Sequence, residues 1–472
     1  MPQAPSAARG LKISVITLGC DKNTVDSERY VASLADRGAE YTPNLEDAEI
    51  ILVNTCGFID AAKKESIDAL VEAGRLKDAG QARAVVGIGC MVQRHKEELI
   101  DALPEVDLFL GSSEVDRLIP ELEERGLLGA HEVPAVHPGV RLFTGGLPHV
   151  RYLKISEGCD HGCAFCAIPL MRGKHRSFAL DEIVREAQLL EAQGARELNL
   201  VAQDLAHYGR DRRGDNLGLP DVLQALLRET SLPWIRMLYV YSAGLTPRLL
   251  ELMATEGRIV PYLDMPIQHG SDAVLARMRR PERQRTIRER VARIRDTVPD
   301  VAIRTTCIVG FPGETDADFA MLLEFLEEIQ FDRVGAFTYS PQEGTRAAEM
   351  ADDVPETVKL ERLERLNELQ RLISAERYEA RLGRTVRALV DRVEEGQVQA
   401  RTVWQADDID GVTYIVDAPD VAPGSFVDLR LDAVVDDVDF TASLERVVSA
   451  PTEPAKRARV LPVMGSIGSY GR

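Results

Sequence analysis

RYLKISEGCDHGCAFCAIP, residues 151–169, joins a strand-like run, RYLKIS, to a loop that holds Cys159, Cys163 and Cys166 in CxxxCxxC spacing between Gly158 and Pro169. Three thiolates from one loop can hold three irons of a [4Fe-4S] cube and leave the fourth iron open. A structural zinc ion is the competing reading. Zinc asks for four closed ligands, and His161 or His175 could serve as the fourth. The residues that follow favour the cube, because the motif opens a β-α series of barrel length. ELNLVAQD, WIRMLYV, PYLDMPIQ, VAIRTTCIVGF and RVGAFTYS are further strand candidates, separated by helix-length segments such as SFALDEIVREAQLLEAQG. Six β-α units over roughly 200 residues predict an open or partial (β/α)6 barrel.

Upstream, LKISVITLGC, EIILVNTCGF and AVVGIGC each end in or near a cysteine and lead into a polar or helical stretch. That rhythm predicts a doubly wound parallel α/β domain. Cys20, Cys56 and Cys90 stand at the C-terminal ends of the three runs. In a parallel sheet those ends share one edge, where ligands bind at the switch point. Residues far apart in sequence can converge there, although three unrelated core thiols would also fit. Cys307, inside VAIRTTCIVG, has no partner at ligand spacing and reads as core filling.

Downstream, Leu360, Leu363, Leu366, Leu369 and Ile373 recur at helical spacing within 356–381, a helix expected to bridge two domains. Beyond Gly383, the short runs TVRALVDRV, QVQARTV, VTYIVDA and SFVDLRL suit a small antiparallel barrel. The expected architecture is α/β multidomain: 1–140 the N-terminal α/β domain, 141–382 the central barrel with its linker helix, 383–448 the small barrel and 449–472 a disordered tail. His137 to Pro148 reads as the linker out of the first domain. With 472 residues, 45% of them hydrophobic, the chain can bury several cores. No apolar run approaches the roughly 20 residues of a membrane helix, and Met1 to Gly10 hold no apolar h-region. A cytoplasmic protein is expected, whose seven cysteines serve as ligands or buried thiols rather than disulfides. A net charge of −19 disfavours unspecific binding to nucleic acid.

The cysteine loop and its neighbours AIPLMRGKHRS (167–177), LVAQD (200–204), MPIQHGSDAVLARMRR (265–280) and IVGFPGET (308–315) resemble the radical S-adenosylmethionine (SAM) methylthiotransferases over nearly the whole chain. The resemblance implies that the open iron held by Cys159, Cys163 and Cys166 chelates SAM, and that an electron from the cluster cleaves SAM to a 5'-deoxyadenosyl radical. It also implies a second [4Fe-4S] cluster on Cys20, Cys56 and Cys90, carrying sulfide or polysulfide. One SAM would methylate that sulfur. A second, once cleaved, would remove a hydrogen from an unactivated carbon, which captures the methylthio group. Such chemistry wants both clusters on one cavity that excludes water, and an electron donor such as flavodoxin or ferredoxin. By family position Phe165, Gln203, Arg304 and Gly310 are SAM contacts, although packing, a turn or ordinary polar strand ends would also account for them. Arg172, Lys174 and Arg176 either orient an anionic group or lie on a solvated loop.

The family has two branches. One modifies adenosine in transfer RNA, the other an aspartate β-carbon of ribosomal protein S-12. The small barrel resembles a TRAM module, which commonly binds RNA, yet from Arg384 to Arg446 it holds six Arg and no Lys against fourteen Asp and Glu. Such a surface should repel phosphate and attract a basic ribosomal protein. DMPIQHGSD, with Asp264 and His269, and QADDIDGVTYI also resemble the ribosomal-protein branch, although ADDIDG departs from the DAPEIDG form. Against this stand Arg277, Arg279, Arg280, Arg283, Arg285, Arg288, Arg290, Arg293 and Arg295, a basic stretch able to touch RNA unless it is a solvated helix face. A different class of reading is a non-catalytic iron-sulfur ribosome-binding assembly factor. The complete set of six cluster cysteines argues for an enzyme.

Overall fold

Apolar residues occupy successive positions in the first strands, so each strand must be covered on both faces. The computed structural model describes residues 11–128, 141–212, 214–418 and 421–451, in two compact units.

The first unit runs to Gly146 and takes in Ala167–Lys174. Its parallel sheet has the order β2-β1-β3-β4-β5, with β1 Lys12–Thr17, β2 Glu40–Tyr41, β3 Ile50–Thr55, β4 Ala84–Gly89 and β5 Leu108–Gly111. Ile50, Leu52, Val86 and Leu110 pack with Val31 and Leu34 of α1 (Asp21–Ala35) and Leu122 of α4 (Leu118–Glu124). Ile51, Val53, Val85 and Phe109 pack on the other face with Leu70 of α2 (Asp60–Asp78) and Val92 of α3 (Cys90–Ala102). The sheet is therefore doubly wound, and strand order reverses between β1 and β3. The sequence runs do not mark β2 and β5, which are only two and four residues long. Of the linker expected at 137–148, residues 141–146 are tied to this unit, and Leu147 and Pro148 belong to the second. Arg141 is fully buried and paired with Glu28, Leu142 joins the core, and Tyr41 Oη donates to the Thr144 carbonyl at 2.8 Å.

The second unit carries a six-stranded parallel sheet in sequential order, β6 Val150–Lys154, β9 Glu197–Val201, β10 Trp234–Met237, β11 Ile259–Asp264, β12 Ala302–Val309 and β13 Arg333–Thr338. A short antiparallel pair, β7 Ser156–Glu157 and β8 Arg176–Ser177, flanks it. All six sequence runs are strands, and a helix or pair of helices follows each of the first five. Leu198, Leu200, Ile235, Met237, Leu263 and Ile303 share a core with the helices. The opposite face is polar, with Glu197, Asn199, Arg236, Asp264 and Arg304.

The long helix, Glu356–Glu379, packs against both the six-stranded sheet and the barrel, all within the second unit. Leu366 and Ile373 are buried, Gln370 Nε2 donates to the Phe331 carbonyl at 3.0 Å, and Tyr378 stacks on Phe440 of the barrel at 4.9 Å. Leu360, expected on the buried stripe, is 54% exposed, because Lys359 and Arg362 take the inward positions of that turn. The barrel is closed by five strands in the order β14-β15-β16-β18-β17, with β14 Thr385–Glu394, β15 Gln397–Thr402, β16 Thr413–Val416, β17 Phe426–Val435 and β18 Asp439–Ser449. It is antiparallel except where β16 meets β18, since β17 pairs on the far side of β18 and leaves that edge to close the barrel. The tail expected at 449–472 lies outside the described residues except at its first three positions, of which Ser449 is the last residue of β18.

The barrel's ADDIDG segment rests on the polar face of the sheet. Tyr262 Oη donates to Asp410 at 2.6 Å, and Arg236 donates to the Val403 carbonyl at 3.0 Å. Arg401 sits between Asp391 at 2.6 Å and Glu197 at 2.7 Å, with Arg236 also 2.6 Å from Glu197 and His149 3.0 Å from Asp391. Burial alone would raise the Glu197 carboxyl, but Arg401 and Arg236 outweigh it and hold it below its ordinary range.

Candidate functional site: two cysteine triads

Cys20, Cys56 and Cys90 follow β1, β3 and β4, three adjacent strands, and stand at one edge of the first sheet. Cys20 precedes α1 and accepts at its carbonyl from the Asn23 amide at 2.8 Å. The Cys56 amide donates to Ser66 Oγ, which returns its proton to the Cys56 carbonyl, both at 2.9 Å. Cys90 opens α3. Two glycines allow this crowding. Gly19 has φ +91°, and a Cβ there would lie 2.8 Å from Cβ and Sγ of Cys56; Gly89 has φ +103°, with Asn54 Oδ1 at 2.5 Å from such an atom. Cys20 is exposed, Cys56 half-buried and Cys90 buried. Burial raises the Cys56 thiol and pushes Cys90 up to about 11, and the charge of Cys20 adds to both. The sulfurs are thus near enough to feel one another.

Arg172, at the end of α5 (Ile168–Arg172), belongs to this triad. Its Nε lies 3.1 Å from Cys90 Sγ, Nη1 is 2.6 Å from Asp26, and Nη2 bonds to Asn23 Oδ1. Asn23 is itself anchored by the carbonyls of Leu18 at 2.6 Å and Thr55 at 3.3 Å, one near the end of each of two strands. Arg172 is therefore not a solvated loop residue; its guanidinium is engaged by the first triad. Arg176 instead stacks over Phe178, and Lys174 is exposed.

In the second unit Cys159, Cys163 and Cys166 lie half-buried on the loop after β7. Ala164 ties that loop down, donating to the Met278 carbonyl and accepting from the Ala347 amide, each at 2.9 Å. Burial pushes Cys159 up to about 11, opposed by the His161 amide and reinforced by the charge of Cys163. Arg280 is 5% exposed and points Nη1 at Cys163 Sγ, 3.8 Å away. His161 and His175 are otherwise engaged: His161 Nε2 pairs with Asp204 at 2.6 Å and its ring stacks on Tyr241, while His175 Nε2 meets Ser177 Oγ at 3.1 Å.

Neither triad draws its three sulfurs within 4.8 Å; among the described residues only His161, Asp204 and His207 bring ligand atoms that close. A single zinc with Zn–S bonds of about 2.3 Å needs its sulfurs nearer than that. A [4Fe-4S] cube spreads its ligands over separate irons. By their chemistry, three free thiols apiece, both donor sets suit a cube with one iron left open.

Three family models match successive stretches: an uncharacterized protein family, UPF0004, at residues 12–111, the radical SAM superfamily at 153–326 and the TRAM domain at 382–444. "Ribosomal protein uS12 methylthiotransferase RimO" from Anaeromyxobacter sp. (strain K) is 44% identical over 459 residues, 96% of each chain. The protein of that name from Geobacter sulfurreducens (strain ATCC 51573 / DSM 12127 / PCA) is 42% identical over 434 residues, 89% of this chain and 96% of its own. The chain belongs to the uS12 methylthiotransferase family. Among solved structures, the radical SAM methyltransferase TsrM from Kitasatospora setae, with tryptophan substrate and a SAM analog bound, matches with a TM-score of 0.53 at 14% identity, over 71% of this chain and 75% of that one. At that identity the likeness concerns the fold.

In this methylthiotransferase-family chain the four SAM candidates fall at different levels of the sheet. Gln203 follows β9 and donates to Glu157 at 3.0 Å, and Lys154 lies 2.5 Å from the same carboxylate. Phe165 packs beside Ala164, Phe311 and Tyr339. Arg304 is the third residue of β12, level with Asp264 at the end of β11 and 3.1 Å from its carboxylate. Gly310 follows β12 at φ +72°, where a Cβ would meet Lys359 Cγ at 2.3 Å. Tyr239 and Gln268, just beyond β10 and β11, hold positive φ angles of 63° and 75°, a strain that collects at functional edges.

Most of the arginine-rich stretch is paired with neighbouring groups, but Arg285 and Arg293 stay exposed, Arg285 with a 77% exposed side chain. Arg277, Arg283, Arg293 and Arg295 donate to backbone carbonyls, Arg285 and Arg288 pair with Glu289 and Glu328, and Arg290 bonds to Ser242. Arg279 is exposed. Nothing in the sequence separates Arg280 from these neighbours; its place beside Cys163 is a product of the fold. No helix among the described residues is long and apolar enough to cross a membrane.

Proposed function

We propose that this chain adds a methylthio group to the β-carbon of an aspartate in ribosomal protein uS12, in the cytoplasm, drawing electrons from a donor of the flavodoxin or ferredoxin kind. Cys159, Cys163 and Cys166 would ligate the cluster that binds SAM, and Cys20, Cys56 and Cys90 the second. The observation that carries this reading is the second triad. Radical chemistry alone needs one open cluster, whereas three further thiols at the ligand-binding edge of a parallel sheet suit a reaction that must also deliver sulfur.

When bound, SAM, the two [4Fe-4S] clusters and the sulfide or polysulfide on the second supply the radical and the sulfur. The chain's own residues prepare their seats. Cys90 and Cys159, pushed up by burial, must release protons on ligation. Asn23 and Ser66 fix the backbone around the first triad, Ala164 that around the second. Gln203, Phe165, Arg304 and Gly310 remain the proposed SAM contacts: Phe165 lies within the cysteine loop, and Gln203 is bound to Glu157, two residues before Cys159.

One observation favours a protein target over transfer RNA: the acidic barrel. The names of the relatives agree, and with all six cysteines in place neither the RNA reading nor a non-catalytic scaffold is favoured. Mass spectrometry of uS12 and of transfer RNA, from cells with and without the gene, tests this. Loss of the methylthio increment from uS12 alone is expected. Its loss from transfer RNA with uS12 unchanged refutes the choice of substrate.

A further inference from the structure

Each cysteine triad has one buried guanidinium against one of its sulfurs. Arg172, with a 5% exposed side chain, reaches Cys90 Sγ through Nε at 3.1 Å; Arg280, equally buried, reaches Cys163 Sγ through Nη1 at 3.8 Å. A buried guanidinium is costly unless its charge is answered, and even a well-paired one is weak support for a fold. Both are answered alike. Asp26 lies 2.6 Å from Arg172 and Glu282 3.4 Å from Arg280, which also donates to the Pro266 carbonyl at 2.6 Å and stacks over Tyr241. Each arrangement sets a permanent positive charge beside a sulfur that carries a cluster, on the reading proposed above. Net charge and hydrogen bonds to the sulfurs set the potential of such clusters.

We infer that Arg172 and Arg280 are potential-setting residues, each raising the reduction potential of the cluster whose ligand it touches: Arg172 for the cluster on Cys20, Cys56 and Cys90, Arg280 for the one on Cys159, Cys163 and Cys166. One electron from the external donor enters the cluster. No protein bond forms or breaks, and the guanidinium stays protonated throughout. Asp26 and Glu282 act with the opposite sign, each offsetting part of its arginine's field.

The test is an EPR-monitored potentiometric titration of the full chain reconstituted with iron and sulfide, alongside Arg172→Gln, Arg280→Gln, Asp26→Asn and Glu282→Gln. Each arginine variant should lower the reduced-to-oxidised ratio of its own cluster at least tenfold at a fixed potential, about 59 mV for a one-electron couple, and leave the other cluster in place. The two carboxylate variants should shift the same clusters upward. Loss of packing does not produce paired shifts of opposite sign. Unchanged potentials in loaded arginine variants, or equal shifts of both clusters, overturn the inference. Should an arginine variant fail to load, its carboxylate counterpart decides, and no upward shift there overturns it equally. Iron content tests the ligand reading separately: a parent chain holding one cluster, rather than about eight irons, refutes that reading and this inference with it.

Discussion

Gly19→Ala should separate the two triads. At φ +91° an alanine is held where L-residues are strained, at about 1–3 kcal/mol. Its Cβ would also fall 2.8 Å from both Cβ and Sγ of Cys56, far inside contact distance, and 3.4 Å from Asn23 Nδ2. The backbone cost is small beside the about 5–15 kcal/mol that holds a domain together, so the unit should stay folded. Turning the Cys56 side chain relieves only the Sγ contact; the Cβ contact demands a shift of backbone at Gly19 or at Cys56, which Ser66 pins, and either displaces the thiol. The expected product is a folded protein that loads the cluster on Cys159, Cys163 and Cys166 but loses most of the other. Iron and labile sulfide should fall to about half, reductive cleavage of SAM to 5'-deoxyadenosine should persist, and methylthiolation of uS12 should drop by at least tenfold. A variant that holds both clusters in full and modifies uS12 at the parent rate refutes the placement of Cys56 as a ligand.

Arg401→Met leaves the buried carboxylates of Glu197 and Asp391 short of a partner, and removal of one member of such a network costs about 3–5 kcal/mol. In the parent both carboxyls are held low, a stabilisation present above the ordinary carboxylate pKa and lost as pH falls through the folded value. Calorimetry should therefore show a loss on the order of 10 °C at neutral pH that shrinks toward pH 4; a penalty independent of pH would contradict the network. Asp407 behaves oppositely, pushed up to about 7 by burial, with Asp408, Asp391 and Glu197 adding to it and Arg401 opposing. Its stabilising contribution is complete below the unfolded value and fades as pH rises through about 7, so Asp407→Asn should gain on the parent at pH 8 and not at pH 4, as read by thermal melts at both. Cys307→Ala, in the middle of β12 and fully buried, should cost about 1 kcal/mol and leave iron content and methylthiolation unchanged; lost iron would make Cys307 a ligand.

The strands were legible where they were long and apolar on both faces. LKISVIT, EIILVNT and AVVGIG could hardly form anything but central strands of a covered parallel sheet, and the three cysteines follow from that, because every such strand delivers its C-terminal end to one edge. What periodicity could not supply was the content of short or mixed faces. β2 is two residues long, and the long helix buries Lys359 and Arg362 where its leucine pattern placed Leu360. Those two cations face inward because carboxylates meet them: Glu314 at 3.1 Å from Arg362 and Asp352 at 2.6 Å from Lys359, pairings between residues far apart or across a turn that no local pattern announces.

Arg172 shows a contact at the site that distance along the sequence hides. Six residues after Cys166, it reads naturally as a group serving the SAM-binding loop, yet α5 packs with the first unit and hands the guanidinium to Cys90, 82 positions upstream. The same holds for Arg280, hidden among eight other arginines and 117 positions from the cysteine it touches. Composition identifies such residues only as charge. Which sulfur the fold brings within reach decides their chemistry, and on the proposed reading a buried guanidinium beside a cluster ligand acts on the cluster as its exposed neighbours, screened by water, do not.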